Sequence, residues 1–244
     1  MKKVYVAVAA AMILAGNAAA QMKVGVEAGI NLNNLADQYE GETTSNQIKT
    51  GFHAGVVADL GLGSHFSVAP ALRYSMKGGQ EQRHFNTTIN GNSATVEQKN
   101  KLSYHYLELP VNLVYKTGVE GSGRFMIGAG PYIAYMVNAQ NKQKSTSYVI
   151  VSGETQEIED DRNLALNIGD DQGDHIKGLD YGAQAFIGYQ LPMGVFAKAG
   201  SQVGFANTQR QQSPLGSYPN QELKQKNYNF FLTLGYMFGG RSAQ

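Results

Sequence analysis

Apolar and polar side chains alternate with period two along eight stretches, 22–33, 50–61, 66–78, 102–117, 124–137, 178–190, 195–206 and 227–238. That periodicity predicts eight β-strands, each with one apolar and one polar face. Each stretch has about the ten residues that a tilted strand needs to cross a bilayer. The connections alternate in size: 34–49, 79–101, 138–177 and 207–226 are long, while 62–65, 118–123 and 191–194 are short and carry turn residues such as Gly61-Leu62-Gly63-Ser64. Alternating long and short connections predict an all-β, transmembrane, antiparallel up-and-down barrel with short periplasmic turns and long extracellular loops. Within the third loop, the β-prone run Ser145 to Ser152, with Tyr148-Val149-Ile150-Val151 at its centre, is expected to extend a hairpin above the membrane.

The placement of charge sharpens the picture. Val24, Val26, Ala28, Ile30 and Leu32 share one face of the first stretch, and the same parity recurs in Phe52 to Leu60, Leu107 to Tyr115 and Tyr228 to Phe238. Ten charged residues lie inside the eight windows: Lys23, Glu27, Asp59, Arg73, Lys77, Glu108, Lys116, Arg124, Asp180 and Lys198. All have the parity opposite to the apolar stripe. A Lys or Arg facing lipid near the midplane costs about 2–4 kcal/mol, so a few misplaced charges would rival a net stability of roughly 5–15 kcal/mol. The same alternation suits a soluble secreted ligand-binding barrel, with the faces reversed. Three features favour the membrane: aromatic residues near strand ends, small residues on the charged face, and a last strand ending in Tyr236-Met237-Phe238. The expected girdles are Phe66, Tyr115, Phe125, Tyr189, Phe196, Tyr236 and Phe238 at the plain rim, and Tyr74, Tyr104, Tyr106, Tyr135, Tyr181 and Tyr228 at the loop rim.

The start of the chain reads as an export address. Met1-Lys2-Lys3, the apolar run Val4 to Ala15 and the small residues Gly16 to Ala20 predict a cleaved signal over 1–20, leaving 21–244 as the barrel domain. Of 20 Lys+Arg, two lie in that leader, so the mature chain has 18 basic against 19 acidic side chains. This balance supplies no footprint for a nucleic-acid backbone. With no cysteine, disulfides, thiolate metal sites and thiol catalysis are excluded.

Gly25-Val26-Glu27-Ala28-Gly29-Ile30-Asn31, then Tyr106-Leu107-Glu108-Leu109-Pro110-Val111, Gly128-Ala129-Gly130-Pro131-Tyr132, Asp180-Tyr181-Gly182 and Gly188-Tyr189 follow in an order that resembles the PorT-like outer-membrane β-barrel family of Bacteroidota. The resemblance implies an integral outer-membrane barrel of about eight strands. The family's name-giving member is implicated in protein export, a role that does not pass to a relative on a barrel pattern alone.

Eight strands enclose a space that side chains can fill. The ten interior charges, six positive and four negative, are therefore expected to pair as a polar network, with Glu27, Arg73, Glu108 and Arg124 at its middle. The expected function is a structural or interaction barrel in the outer membrane, touching lipid and presenting its extracellular loops to protein partners. The alternatives are a narrow anion-preferring channel or a component of an export complex. Glu154, Glu157, Glu159, Asp160, Asp161, Asp170, Asp171 and Asp174 make the third loop acidic, but their spacing is not that of an EF-hand. Enzyme chemistry would draw on His84, His105 or His175 with Ser75, Ser103 or Asp174; there is no Gly-x-Ser-x-Gly, and His53 has interior parity. No catalytic residue, metal ligand or cofactor is expected.

Overall fold

The computed structural model describes residues 22–39, 42–45, 47–89, 91–119, 121–151, 154–169, 176–207 and 224–238. The expected leader, Asp170, Asp171, Asp174, His175 and most of the 207–226 connection lie outside them. The strands are β1 (Met22–Tyr39), β2 (Glu42–Ser45), β3 (Lys49–Gly61), β4 (Phe66–Ile89), β5 (Asn92–Lys116), β6 (Arg124–Val151), β7 (Glu154–Ala165), β8 (Leu179–Gln190), β9 (Val195–Gly204) and β10 (Lys224–Phe238). Every pairing is antiparallel between neighbours, and β10 closes on β1, so β1, β3, β4, β5, β6, β8, β9 and β10 form a ring of eight. Closure removes the free edges that hydrocarbon could not satisfy.

Of the connections expected as long loops, much is strand. β4 and β5 run on together to Ile89 and Asn92, β6 continues to Val151 with β7 folded back beside it, and β2 extends β1. The β-prone run from Ser145 lies in that extension, paired with β5 on one side and β7 on the other. The short connections are turns; in the one between β8 and β9, Gly194 has φ 96° and donates its N–H to Leu191 O, a backbone conformation that a side chain would strain.

The register fixes how the wall is tilted. Asn33 stands opposite Asn229, Asn229 opposite Gln202, Gln202 opposite Gln184 and Gln184 opposite Gly130. The same row continues through Asn112, Ala69 and Asp59 and reaches Lys23, on β1 again but ten residues lower (33 − 23). A stagger of this kind is what lets a sheet close with tilted strands. It also winds a spiral of interior polar side chains down the lumen.

Outward side chains form an apolar band: Val26, Ile30, Phe52, Leu72, Leu107, Leu109, Ile133, Ile187, Leu232 and Leu234 are all exposed to the surroundings. A contiguous apolar surface of this extent needs a non-aqueous solvent. Phe66 with Tyr115, Phe125 with Tyr189, and Tyr236 with Phe238 pack as ring pairs at its periplasmic edge. Tyr74, Tyr135, Tyr181 and Tyr228 are exposed at the other edge. Three expected girdle members are not there: Tyr104, Tyr106 and Phe196 are buried inside the barrel. Their parity is that of Glu108 and Lys198, so the pleat turns them inward whatever their height on the wall.

Candidate functional site

The middle of the lumen holds an ionic layer. Arg73 on β4 donates through Nε to Glu108 Oε1 at 2.8 Å and approaches the same oxygen through Nη2 at 2.7 Å. Lys77, four residues higher on the same strand, lies 2.8 Å from Glu108 Oε2 and 3.6 Å from Asp180 Oδ2. Glu27 on β1 accepts from Lys198 at 2.6 Å and faces Arg73 at 3.7 Å. Amides tie the charges to the wall: Gln184 accepts from Arg73 and donates to Asn112 Oδ1 at 2.9 Å, and Gln202 donates to Glu108 Oε1 at 3.1 Å. Gln184 can reach Asn112 because Gly130, which stands between them in the row, has no side chain.

Apolar layers bound the ions on both sides. Below them, Val57, Ala71, Val114, Met126, Phe186, Phe196, Phe231 and Met237 pack as one buried cluster. Above them, Leu35, Tyr104, Tyr106, Tyr132, Ala134, Met136 and Ala139 form a second, which Ile176 joins from the segment after β7. Cation–π contacts join the layers: Lys77 Nζ lies 4.5 Å from the Tyr132 ring centre, Lys198 Nζ 4.9 Å from Phe196, and the Arg73 guanidinium 5.7 Å from Phe231. The lower rings fit because glycines face them; a Cβ on Gly128 would come within 2.4 Å of the Phe186 ring, and one on Gly235 within 2.2 Å of Phe196. A cavity of about 40 Å³ between the lower cluster and Asp59, Lys116 and Lys198 is the interior space left there.

The ten charges named from the sequence do not form one cluster. Glu27, Arg73, Lys77, Glu108, Asp180 and Lys198 meet in the ionic layer. Lys116 and Asp59 pair separately nearer the periplasmic end, and Lys23 stands opposite Asp59 in the β1–β3 register. Arg124 is a correction to the expected centre. It opens β6 directly after a turn, and its guanidinium donates to the carbonyls of Thr117 and Ser64 at the periplasmic rim. Lys77 occupies the central place instead. Interior parity gave the direction of Arg124 correctly, but its height on the strand puts it outside the layer.

Neutral partners complete the interior. His53 sits between Asn31 Oδ1 at 2.8 Å and Thr233 Oγ1 at 2.9 Å, a hydrogen-bonded filler. Tyr132 donates to Asp180 Oδ2 at 3.1 Å, and Asn227 donates to the same oxygen at 3.0 Å. Tyr132, Gln184, Gln202 and Asn227 were not singled out in the sequence, although interior parity beside a charged neighbour marks each of them. His105 lies on the outer wall, bonded to Tyr74 OH and stacked on its ring. Its expected partner Ser103 bonds the Lys49 ammonium instead, and His84 faces Glu97 on the exposed hairpin at 3.4 Å. Among the described residues neither histidine has a serine or threonine hydroxyl bonded to it; the hydroxyl on His105 is that of Tyr74.

Above the aromatic edge, β4, β5, β6 and β7 continue as a four-stranded sheet. All twelve residues of β7, Glu154–Ala165, are exposed, and among the described residues the strand pairs with β6 alone. Its acids are solvated: Glu159 pairs with Lys144 at 2.8 Å, raising the lysine's pKa, and Asp160 pairs with Arg162 at 2.8 Å. Among the described residues no group of three His, Asp or Glu side chains is placed to hold a metal ion.

Residues 16–210 match the outer membrane protein beta-barrel domain. Among solved structures, the chain is similar to Ail, the attachment invasion locus protein of Yersinia pestis, in complex with the heparin analogue sucrose octasulfate. The identity is 10%, with 89% of this chain and 99% of that one covered and a TM-score of 0.35. Neisserial surface protein A matches at 9% identity over 89% and 97% of the two chains, TM-score 0.34. The N-terminal β-barrel domain of Pseudomonas aeruginosa OprF matches at 14% over 89% and 100%, TM-score 0.30. No curated protein matches the sequence.

Proposed function

We propose that this chain, which belongs to the outer membrane protein β-barrel domain family and resides in the outer membrane, is a non-enzymatic interaction barrel. In this reading residues 1–20 are removed as an export signal, the lumen is a filled support, and the sheet above the membrane meets protein partners. No cofactor takes part. The observation that carries the reading is the contrast between the two halves of the molecule. The membrane half pairs six interior charges, Glu27, Arg73, Lys77, Glu108, Asp180 and Lys198, between two apolar layers, while the outer half exposes β7 along its whole length. An exposed edge strand is a template for main-chain pairing with another chain. Its acids keep copies of this protein apart and favour a partner strand with basic side chains. The ordered segments that resemble PorT-like barrels support the same account of the wall.

A channel would have to pass ions through both apolar layers, so the proposal expects no steady conductance from purified protein in a planar bilayer. The interaction itself is tested with a photo-crosslinking residue at Gln156 or Ile158 in intact cells, and at Lys23 as the periplasmic control. Discrete adducts from the β7 positions and none from Lys23 are expected. Absence of β7 adducts in cells that display the folded barrel contradicts an interaction role for this edge.

A further inference from the structure

Two rungs of the outer sheet carry like charges face to face. Lys101 on β5 stands directly opposite Lys142 on β6, and Lys99 opposite Lys144 two residues higher. All four side chains are exposed. They share one surface because of a β-bulge. The β5–β6 register slips between His105 and Tyr106, so the outward positions of β6 change from Ile133 and Tyr135 below the slip to Lys142 and Lys144 above it. The first rung reads Gln80, Lys101, Lys142, Asn163 across β4, β5, β6 and β7, with no carboxylate in it. In the second, Lys144 faces Asp161 and is held by Glu159 at 2.8 Å. Among the described residues no ion pair is made by Lys99, Lys101 or Lys142. The Lys49 ammonium is buried beside this wall, bonded to the carbonyl of Leu102 at 2.6 Å and to Ser103, and is not one of its exposed cations.

Directly opposed like charges destabilise a sheet, and among the described residues no ion pair offsets the repulsion between Lys101 and Lys142. The height of the rungs identifies what does. Lys101 is four residues above His105, whose ring stacks on Tyr74 at the outer edge of the apolar band. At about 3.3 Å per residue on a tilted strand, its backbone stands roughly 10 Å above that edge. A lysine stem can lower its charge several ångströms toward the interface. This is the level of lipid headgroups.

We propose that Lys99, Lys101 and Lys142 form a binding site for the phosphorylated headgroup of a lipid in the outer leaflet, the acyl chains lying on the apolar wall below Tyr74 and His105. The occupant is a lipid and not a free phosphate because the cations sit directly above a hydrocarbon-facing surface, which holds the rest of the same molecule. Gln80 and Asn163 at the two ends of the first rung supply neutral amides that can donate to phosphate oxygens without repelling them. The site rests on the membrane placement of the barrel and is independent of the partner-binding role of β7.

The test uses the full mature protein in detergent. Retention of diphosphorylated lipid A is read by native mass spectrometry, with dephosphorylated lipid A and inorganic phosphate as the other probes. Wild type is expected to retain the diphosphorylated lipid, to retain the dephosphorylated one poorly, and to show no thermal shift with inorganic phosphate at the same phosphate concentration. Lys101→Gln with Lys142→Gln should lower retention roughly ten-fold or more, each basic residue at an anionic surface contributing appreciably. Lys142→Glu turns the repulsive rung into an attractive one. It should raise the melting temperature of the lipid-free protein while lowering lipid retention. Both variants change exposed side chains, and retained compactness in unheated detergent gels confirms folding. Equal retention by wild type and the double variant overturns the proposal, as does a thermal shift with inorganic phosphate equal to that with the lipid.

Discussion

Arg73 and Glu108 face each other across the β4–β5 pair, joined through two guanidinium nitrogens at 2.8 and 2.7 Å, and each is almost wholly shielded from solvent. Glu108 also neutralises Lys77. Removing this one carboxylate leaves both buried cations with only longer ionic contacts, Arg73 to Glu27 at 3.7 Å and Lys77 to Asp180 at 3.6 Å. Glu108→Ala is expected to cost about 3–5 kcal/mol, the range for breaking a buried pair from one side. It is measured from the urea midpoint of the barrel folded in lipid vesicles. By contrast, the exposed, solvent-screened Lys144–Glu159 pair should contribute little, so Lys144→Ala should scarcely move that midpoint.

Leu109 faces outward from β5 at mid-height, on the same strand as Glu108 but with opposite parity. Leu109→Arg should destabilise by about 2–4 kcal/mol, since it places a cation in hydrocarbon. The same change at Ile158, exposed on β7 higher above the apolar band, should fall within about 0.5 kcal/mol of wild type, as surface substitutions usually do. Equal costs at the two positions, by the same vesicle titration, would mean that both see the same solvent.

Gly128 and Phe186 share one interior place. A β-branched side chain at Gly128 has no room beside the ring, and Gly128→Val is expected to cost about 1–3 kcal/mol through overpacking. Combining it with Phe186→Ala should recover part of that loss, because the two changes act on the same space. Additive losses in the double variant would contradict the packing described.

The wall was legible in the sequence and the outer sheet, apart from the β-prone run from Ser145, was not, for one physical reason. Periodicity records a difference in solvent between two faces. From Phe52 to Leu60 one face meets lipid and the other the lumen, so parity is visible. In Glu154-Thr155-Gln156-Glu157-Ile158-Glu159 both faces meet water, and the strand leaves no period. The extension of β4 and β5 through Gln82 to Glu97 passed as loop for the same reason. Within the lumen, parity gave the direction of each charge but not its height. Pairing depends on register, which no single strand encodes, so Arg124 was expected at the centre while Lys77 holds that place. Tyr104, Tyr106 and Phe196 show the converse: position near a strand end suggested a girdle, and the pleat put them inside.

Hydrocarbon as the medium around the barrel is the claim on which the rest depends, and the chain's lack of cysteine allows a direct reading of it. Spin labels attached after Leu109→Cys, Ile133→Cys or Leu234→Cys, one at a time in protein folded into lipid vesicles, report by power saturation whether oxygen or a water-soluble nickel complex reaches each site. The account predicts that oxygen dominates at all three and that the nickel complex dominates after Gln156→Cys on β7. Nickel access at Leu109, Ile133 and Leu234 equal to that at Gln156 would contradict it.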